Sequence, residues 1–429
     1  MTRRVVITGL GAVSPLGLSV RENWANLIQG RSGIGPISLF DAECFPTRIA
    51  GEVKNFNFDY WIELDPALTH ACRSTFFALQ AADEAFRDAH LRLFELDSKR
   101  MGIYFGAGDS GIDFGPFVKT IASAWGSKGT VVDKELYLQA SPLNLHALRE
   151  HESEPFMTVA HLARRFDIRG PVSNCLTACA ASSQAIGEAY EWIRNDYADI
   201  VMSGGSHSMI YPLGLAGFST LNALSSRNDE PEKASRPFDS KRDGFVLSEG
   251  AGVLMLEELS HALKRKTKIY GEIIGYGSTA DAYRLTDMDP QGNGACRAVE
   301  IALQKGNLKI SDVDYINAHG TATAINDSVE TLVIKKVFGP RAYEIPVSSI
   351  KSMLGHMIAA AGSVEAMACL LAMRDEKIPP TINYEEPDPA CDLDYVPNVS
   401  RESHVNVALS NSFGFGGQNI CLAFKKYNG

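Results

Sequence analysis

The chain has 429 residues, 45% apolar and 21% charged, with a formal net charge of −10. That length buries a deep core and admits two domains or one two-lobed unit, in a composition ordinary for a soluble globular enzyme. The acidic balance argues against a nucleic-acid partner, because neutralising phosphates needs a basic face.

No run of eighteen apolar residues occurs, so no membrane span is expected. The N-terminal run Val5-Val-Ile-Thr is too short for the apolar core of a signal peptide. The eight cysteines are scattered and form no C-x-x-C pair, which argues against a zinc ribbon or a thioredoxin-type site. Reduced thiols and a cytoplasmic location are expected.

In chain order, β-rich runs are expected at 4–8, 101–105, 199–202, 252–256, 270–274, 314–317, 345–348 and 405–410. Helical patterns lie between several of them, at 75–89, 182–194, 293–305, 327–338 and 360–373. Apolar strands separated by helices indicate an α/β architecture with sheets covered on both faces. The segments 178–187 and 357–366 are dense in small residues and poor in charge, which predicts two buried helices, one in each half. They suggest a duplicated layout, although no strict internal repeat is present. The stretch 124–154 has little periodicity and reads as a long surface excursion. The proline-rich stretch 377–389 reads as an extended connection.

Near the N-terminus, the glycines of Thr8-Gly-Leu-Gly-Ala-Val-Ser-Pro-Leu-Gly do not make a dinucleotide fingerprint, because Ser14 takes the third glycine position. A structural turn is expected there. Cys179 follows an extended run from Pro171 and opens a helix. At a helix N-terminus the macrodipole and free N–H groups favour a thiolate and can hold an oxyanion. The alternative is an inert core cysteine. Cys175 reads as structural.

His319 lies in Asn317-Ala-His-Gly-Thr-Ala-Thr, in a turn at a strand end, where α/β sheets bind ligands. The alternative is a hydrogen-bonded turn histidine. Thr321 and Thr323 are placed either to hold an amide-bearing arm or to satisfy the loop backbone. A second strand feeds Lys351-Ser-Met-Leu-Gly-His356. Glu330 is a candidate partner for Lys351, in a pair that is either purely structural or holds His356 in place. The glycine-rich loop of Asn411-Ser-Phe-Gly-Phe-Gly-Gly brings Phe413, Phe415 and backbone N–H groups together. Alone it is a weak signal.

Together these segments resemble the β-ketoacyl-acyl-carrier-protein synthases nearly from end to end. Val5-Val-Ile-Thr-Gly-Leu-Gly, Thr177-Ala-Cys-Ala, Ala234-Ser-Arg-Pro-Phe-Asp and Asp243-Gly-Phe-Val-Leu-Ser-Glu-Gly match. So do Asn317-Ala-His-Gly-Thr, Lys351-Ser-Met-Leu-Gly-His, Ile378-Pro-Pro-Thr-Ile-Asn and the Asn411 loop. The resemblance implies a thiolase fold, a duplicated αβαβα five-layer sandwich, with halves 1–260 carrying Cys179 and 261–429 carrying His319 and His356. It implies decarboxylative condensation of an acyl-Cys179 thioester with a malonyl thioester. His319 and His356 would stabilise the enolate, supported by Lys351 and Glu330. Cys179 and Phe415 would supply the oxyanion hole, with Phe415 as a gate, and Thr321, Thr323 and Phe413 would contact substrate. No metal or diffusible cofactor is implied, since acyl carrier protein brings its substrates on phosphopantetheine.

The chain differs from the housekeeping fatty-acid elongation enzyme in three places. Ala-Ala-Ser-Ser-Gln follows Cys179, the excursion 124–154 is long, and 65–76, expected as a helix, carries Arg73 as its one basic residue. These differences fit the catalytic subunit of a type II polyketide system, dimerised with a chain-length-factor subunit that lacks the cysteine. Otherwise a homodimer is implied. A noncatalytic subunit of that kind is disfavoured by Cys179 and both histidines. A coenzyme A thiolase calls for a second cysteine in a C-terminal C-x-G-like context, whereas Cys421 lies in the expected final strand. A papain-like hydrolase fits paired histidines in separate glycine turns less well.

Overall fold

The computed structural model describes residues 3–108, 113–125 and 131–429. Ten strands form the main sheet. In the first half these are β1 (Val5–Val13), β2 (Met101–Ala107), β3 (Val172–Cys175), β4 (Ile200–His207) and β5 (Gly250–Glu258). In the second they are β6 (Gly271–Ala280), β7 (Tyr315–Asn317), β8 (Val347–Ser348), β9 (Val407–Gly414) and β10 (Gln418–Lys425). Five helices matter for the site: α1 (Arg73–Asp88), α2 (Ala181–Arg194), α3 (Asn293–Lys305), α4 (Ala324–Phe338) and α5 (Ala361–Asp375).

The spatial order is β8-β7-β9-β10-β6-β1-β5-β4-β2-β3. Each half has the same internal order, third-second-fourth-fifth-first. Each runs parallel across its first three positions and antiparallel beyond them. The duplication that sequence repeats do not reveal is therefore present in the topology. The halves meet where Val5–Ile7 of β1 pair with Gly271–Ile273 of β6.

Helix α1 covers β1 and β5, and α3 covers β6 and β10. The small-residue helices α2 and α5 touch each other and pack between the halves. A Cβ on Gly362 would lie 2.0 Å from Ser183 Oγ, so only glycine permits this approach. Ser363 N–H donates to Ser182 Oγ at 3.0 Å across the crossing. Ile186, Ile193, Val364 and Leu371 share one apolar core with Val5 and Ile273. This is the thiolase-like layering, with α2 and α5 central.

Three expectations are corrected. The Thr8–Gly17 run is strand as far as Val13, and only Ser14–Gly17 form a tight turn. Gly9 and Gly11 lie in the strand against α1, where a Cβ would fall 2.2 Å from Ala85 O and 1.8 Å from Ala81 O. The described part of 124–154 lies at the surface as expected but is not irregular, being helical over Lys134–Asn144 and Ala147–Glu152, while 126–130 lies outside the described residues. Asp133 caps the first of these helices by accepting from the N–H groups of Glu135 and Leu136. Leu138 and Leu143 on it are exposed, so no single apolar face gave it a periodic signature. The stretch 65–76 is not one helix, since a single 3₁₀ turn, Pro66–Leu68, is followed by a break and α1 starts at Arg73.

Candidate active site

Strand β3 delivers the chain to a 3₁₀ turn, Ala178–Ala180, that opens α2, with Cys179 at its centre and 5% exposed. Ala178 has φ 47°, a left-handed conformation that costs an L-residue strain and turns the thiol away from the strand. The second half repeats the elbow at Ile358–Ala360, before α5, with Ile358 at φ 44°. There Ala359 stands where Cys179 stands in the first half.

His319 follows the end of β7, and His356 lies between the short helix Lys351–Leu354 and the second elbow. Both are 2% exposed. The Cys179 sulfur and a ring nitrogen from each histidine all lie within 4.8 Å of one another. The two imidazoles meet edge-on, with centroids 5.4 Å apart.

The tautomers follow from the partners. Lys351 Nζ sits 3.4 Å from His319 Nδ1, and an ammonium can only donate, so the His319 proton is on Nε2. Ile358 N–H donates to His356 Nδ1 at 3.2 Å, which again puts the proton on Nε2. His356 Nε2 is buried without a partner. Burial first, and Lys351 second, hold both histidines well below the usual imidazole range, so both are neutral. Two Nε2–H donors therefore face the space beside the sulfur.

The thiol itself departs from the expectation of a thiolate. Burial pushes Cys179 up to about 11, against the pull of Lys351 and of the Phe415 and Cys179 N–H groups. Those two N–H groups converge on the sulfur from β9's end loop and from the elbow. Gly416 and Gly417 take φ of 82° and 73° in that loop, and Gly416 N–H donates to Leu285 O at 2.7 Å. Cys175 is structural in contact, its sulfur donating to Ala181 O.

Lys351 is not paired with Glu330, as the sequence reading had it. Its ammonium pairs with Glu365 of α5, both residues at most 2% exposed. Glu330 of α4 instead accepts from the N–H groups of His319 (2.9 Å) and Gly320 (2.8 Å) and from Asn411 Nδ2 (3.2 Å). It thus fixes the His319 turn through the backbone, and burial raises its carboxyl to about 7. Glu365 was missed, yet a signal existed: it is the one acidic residue in a stretch of small apolar residues read as buried, and such a charge needs a partner.

Thr321, Thr323, Phe413 and Phe415 line the cavity of about 340 Å³ that holds Cys179, His319 and His356. The two threonine hydroxyls bond each other at 2.9 Å, and Phe413 meets the His319 ring edge-on. The Cys-His-His donor set resembles a metal site in residue type, but the Lys351 ammonium against His319 opposes a dication there. Arg73 is not free for a partner, since its guanidinium donates to buried Glu249 at 2.6 and 2.7 Å and lies over Phe58 and Phe77.

A buried cysteine at a strand-to-helix elbow, a pair of neutral histidine donors and a two-amide pocket on a duplicated α/β scaffold fit a thioester-condensing enzyme. Residues 2–262 match the family "Beta-ketoacyl synthase, N-terminal domain" and residues 270–385 match "Beta-ketoacyl synthase, C-terminal domain". The chain belongs to the β-ketoacyl synthase family and is an acyl-transferring enzyme. It is 46% identical to a 3-oxoacyl-[acyl-carrier-protein] synthase 2 of Synechocystis sp., over 99% of this chain and 98% of that protein. It is 42% identical to the synthase of the same name from Coxiella burnetii, over 99% of each. Among solved structures it resembles a type II PKS ketosynthase in complex with its acyl-carrier protein (TM-score 0.88, 35% identity, 100% of each chain). It also resembles the ishigamide ketosynthase/chain length factor (TM-score 0.89, 33% identity, 100% of each chain). No helix among the described residues is long and apolar enough to cross a membrane.

Proposed function

We propose that this chain elongates acyl chains by decarboxylative condensation of an acyl-Cys179 thioester with malonyl-acyl carrier protein. One observation carries the reading: the Cys179 sulfur and the two histidine nitrogens lie within 4.8 Å of one another, beside two buried Nε2–H donors. The Cys179 thiol attacks the incoming thioester carbonyl, whose oxygen is held by the N–H groups of Cys179 and Phe415. The carrier's thiol leaves with the proton. The malonyl thioester oxygen then accepts from both Nε2–H groups, carbon dioxide departs, and the enolate carbon attacks acyl-Cys179. The oxyanion collapses, releasing the β-ketoacyl carrier and the Cys179 thiolate, which takes up a proton from water to restore the thiol. Lys351 holds His319, Glu330 holds its turn, Phe415 closes the site, and Thr321, Thr323 and Phe413 line the path of the phosphopantetheine arm. No separate cofactor is needed.

The halves 1–260 and 261–429 act as the two lobes of this site. The protein is cytoplasmic, a reading supported by its eight free cysteines. It dimerises through β3, an edge strand whose Val172 is 45% exposed and is followed by Leu176 at 55%. A second reading makes the partner a homologous subunit without the cysteine. It is favoured by the engagement of Arg73: the resembled elongation enzyme carries a basic cluster over 65–76 for its acidic carrier protein, whereas here the one basic residue of that stretch is held by Glu249.

The test is intact-mass analysis after incubation with acyl carrier protein. Cys179→Ala should take no acyl group. His356→Ala should still be acylated but lose roughly two to three orders of magnitude in malonyl decarboxylation. An acyl adduct on the Cys179→Ala chain would overturn the reading.

A further inference from the structure

His207 ends β4 and is 2% exposed, yet neither ring nitrogen has a hydrogen-bond partner. Burial pushes it down to about 4, so the ring is neutral, with one N–H to donate and one bare nitrogen to accept. Unpaired buried polar groups are costly, and native proteins rarely keep them without a use. Among the described residues, the one other orphaned buried histidine nitrogen is Nε2 of His356. In the mechanism above, that atom meets substrate.

The duplicated topology places the His207 ring. The β4–β5 and β9–β10 ladders each run over eight pairs. His207, opposite Gly250, therefore corresponds to Gly414, opposite Gln418. Gly414 runs against the Cys179 elbow, since a Cβ there would lie 3.1 Å from Thr177 O and 3.4 Å from Cys179 N. His207 stands in the same relation to the second elbow, Ile358–Ala360. Two residues earlier on β4, a Cβ on Gly205 would lie 2.6 Å from Ala359 O. On the neighbouring chain segment, a Cβ on Gly108 would lie 1.9 Å from His207 Nδ1, so glycine is required for the ring to fit. Ile358 of this elbow lines the Cys179 cavity. It shares an apolar cluster with Cys179 and with Ile210, three residues beyond His207. A polar ring thus stands behind the Ile358 wall of the Cys179 cavity.

We propose that His207 is a specificity-determining residue that hydrogen-bonds an oxygen carried on the acyl chain of the Cys179 thioester, so that oxygenated acyl groups are preferred over fully reduced ones. The proposal rests on the acyl-Cys179 reading above. A ketone or hydroxyl oxygen accepts from the ring N–H, and a hydroxyl can instead donate to the bare nitrogen. A saturated chain leaves both unpaired.

The experiment uses the full chain and its His207→Leu and His207→Gln variants. The probes are pantetheine thioesters of one chain length, bearing an alkanoyl, a β-hydroxyalkanoyl or a δ-ketoalkanoyl group. The readout is the rate of Cys179 acylation by intact mass, with thermal unfolding as the check on folding. The unsubstituted chain should prefer at least one oxygenated probe over the alkanoyl probe. His207→Leu should lose that preference by about tenfold or more while still accepting the alkanoyl probe, and His207→Gln should keep part of it. If the ratio is unchanged in both variants, the nitrogens meet only buried water and the proposal fails. If the unsubstituted chain is acylated without discrimination, this proposal alone falls. If it is acylated by no probe, the nucleophile reading falls and takes this one with it.

Discussion

At Cys179 three effects compete, and burial wins. The N–H groups of Cys179 and Phe415 and the Lys351 cation favour the thiolate, but desolvation pushes the thiol up to about 11. At neutral pH the resting Cys179 side chain is therefore the thiol. Its alkylation by iodoacetamide should rise about tenfold per pH unit between about pH 6 and 9, because only the thiolate reacts. A rate already flat at neutral pH would contradict this. Lys351 and Glu365 form a buried ion pair. Removing one partner strands the other, so Lys351→Met should destabilise the fold by about 3–5 kcal/mol, and adding Glu365→Gln should restore most of the loss. Chemical denaturation of the two variants measures both effects. Equal stability of the single and double variants would show that the pair is not coupled.

At the scale of elements, the site depends on how closely α2 and α5 approach. Both begin at a strained 3₁₀ elbow and cross where Gly362 meets Ser183. Gly362→Val would drive a side chain into Ser183, whose Oγ lies 2.0 Å and whose backbone N lies 3.0 Å from the added Cβ. The expected cost is about 1–3 kcal/mol, read as a lower denaturation midpoint. Activity should fall further than stability, since the same crossing sets Cys179 against His356. A variant with unchanged midpoint and activity would remove the crossing from the argument.

For the whole molecule, the two sheet edges are unequal. Strand β8 is fully buried at Val347 and Ser348, while β3 offers unpaired backbone groups beside exposed Val172 and Leu176. Exposed edges are ordinarily covered or blunted. If the chain dimerises through β3 as proposed, Val172→Asp should convert it to monomer in size-exclusion chromatography with light scattering. A dimer that survives the change places the interface elsewhere. Full condensation activity from the unsubstituted chain alone, as a homodimer, would remove the second reading of its partner.

The sequence by itself determined the main-sheet strands, the helices α1 to α5, the elbow at Cys179 and the histidine turns. Each is written in local patterns: apolar runs closed by glycine, and small-residue helices. Helix α3 falls on the residues its periodicity indicated, Asn293–Lys305. Tertiary structure alone decided the partners. Lys351 lies 14 residues before Glu365 and 21 after Glu330, and nothing local selects between the two carboxylates. The choice comes from the path of α5 past the His319 turn, which brings Glu365 to the ammonium while backbone N–H groups take Glu330. The duplication, too, lies in strand order rather than in residues. Burial likewise overrode the local expectation at Cys179, because desolvation depends on everything packed around the thiol.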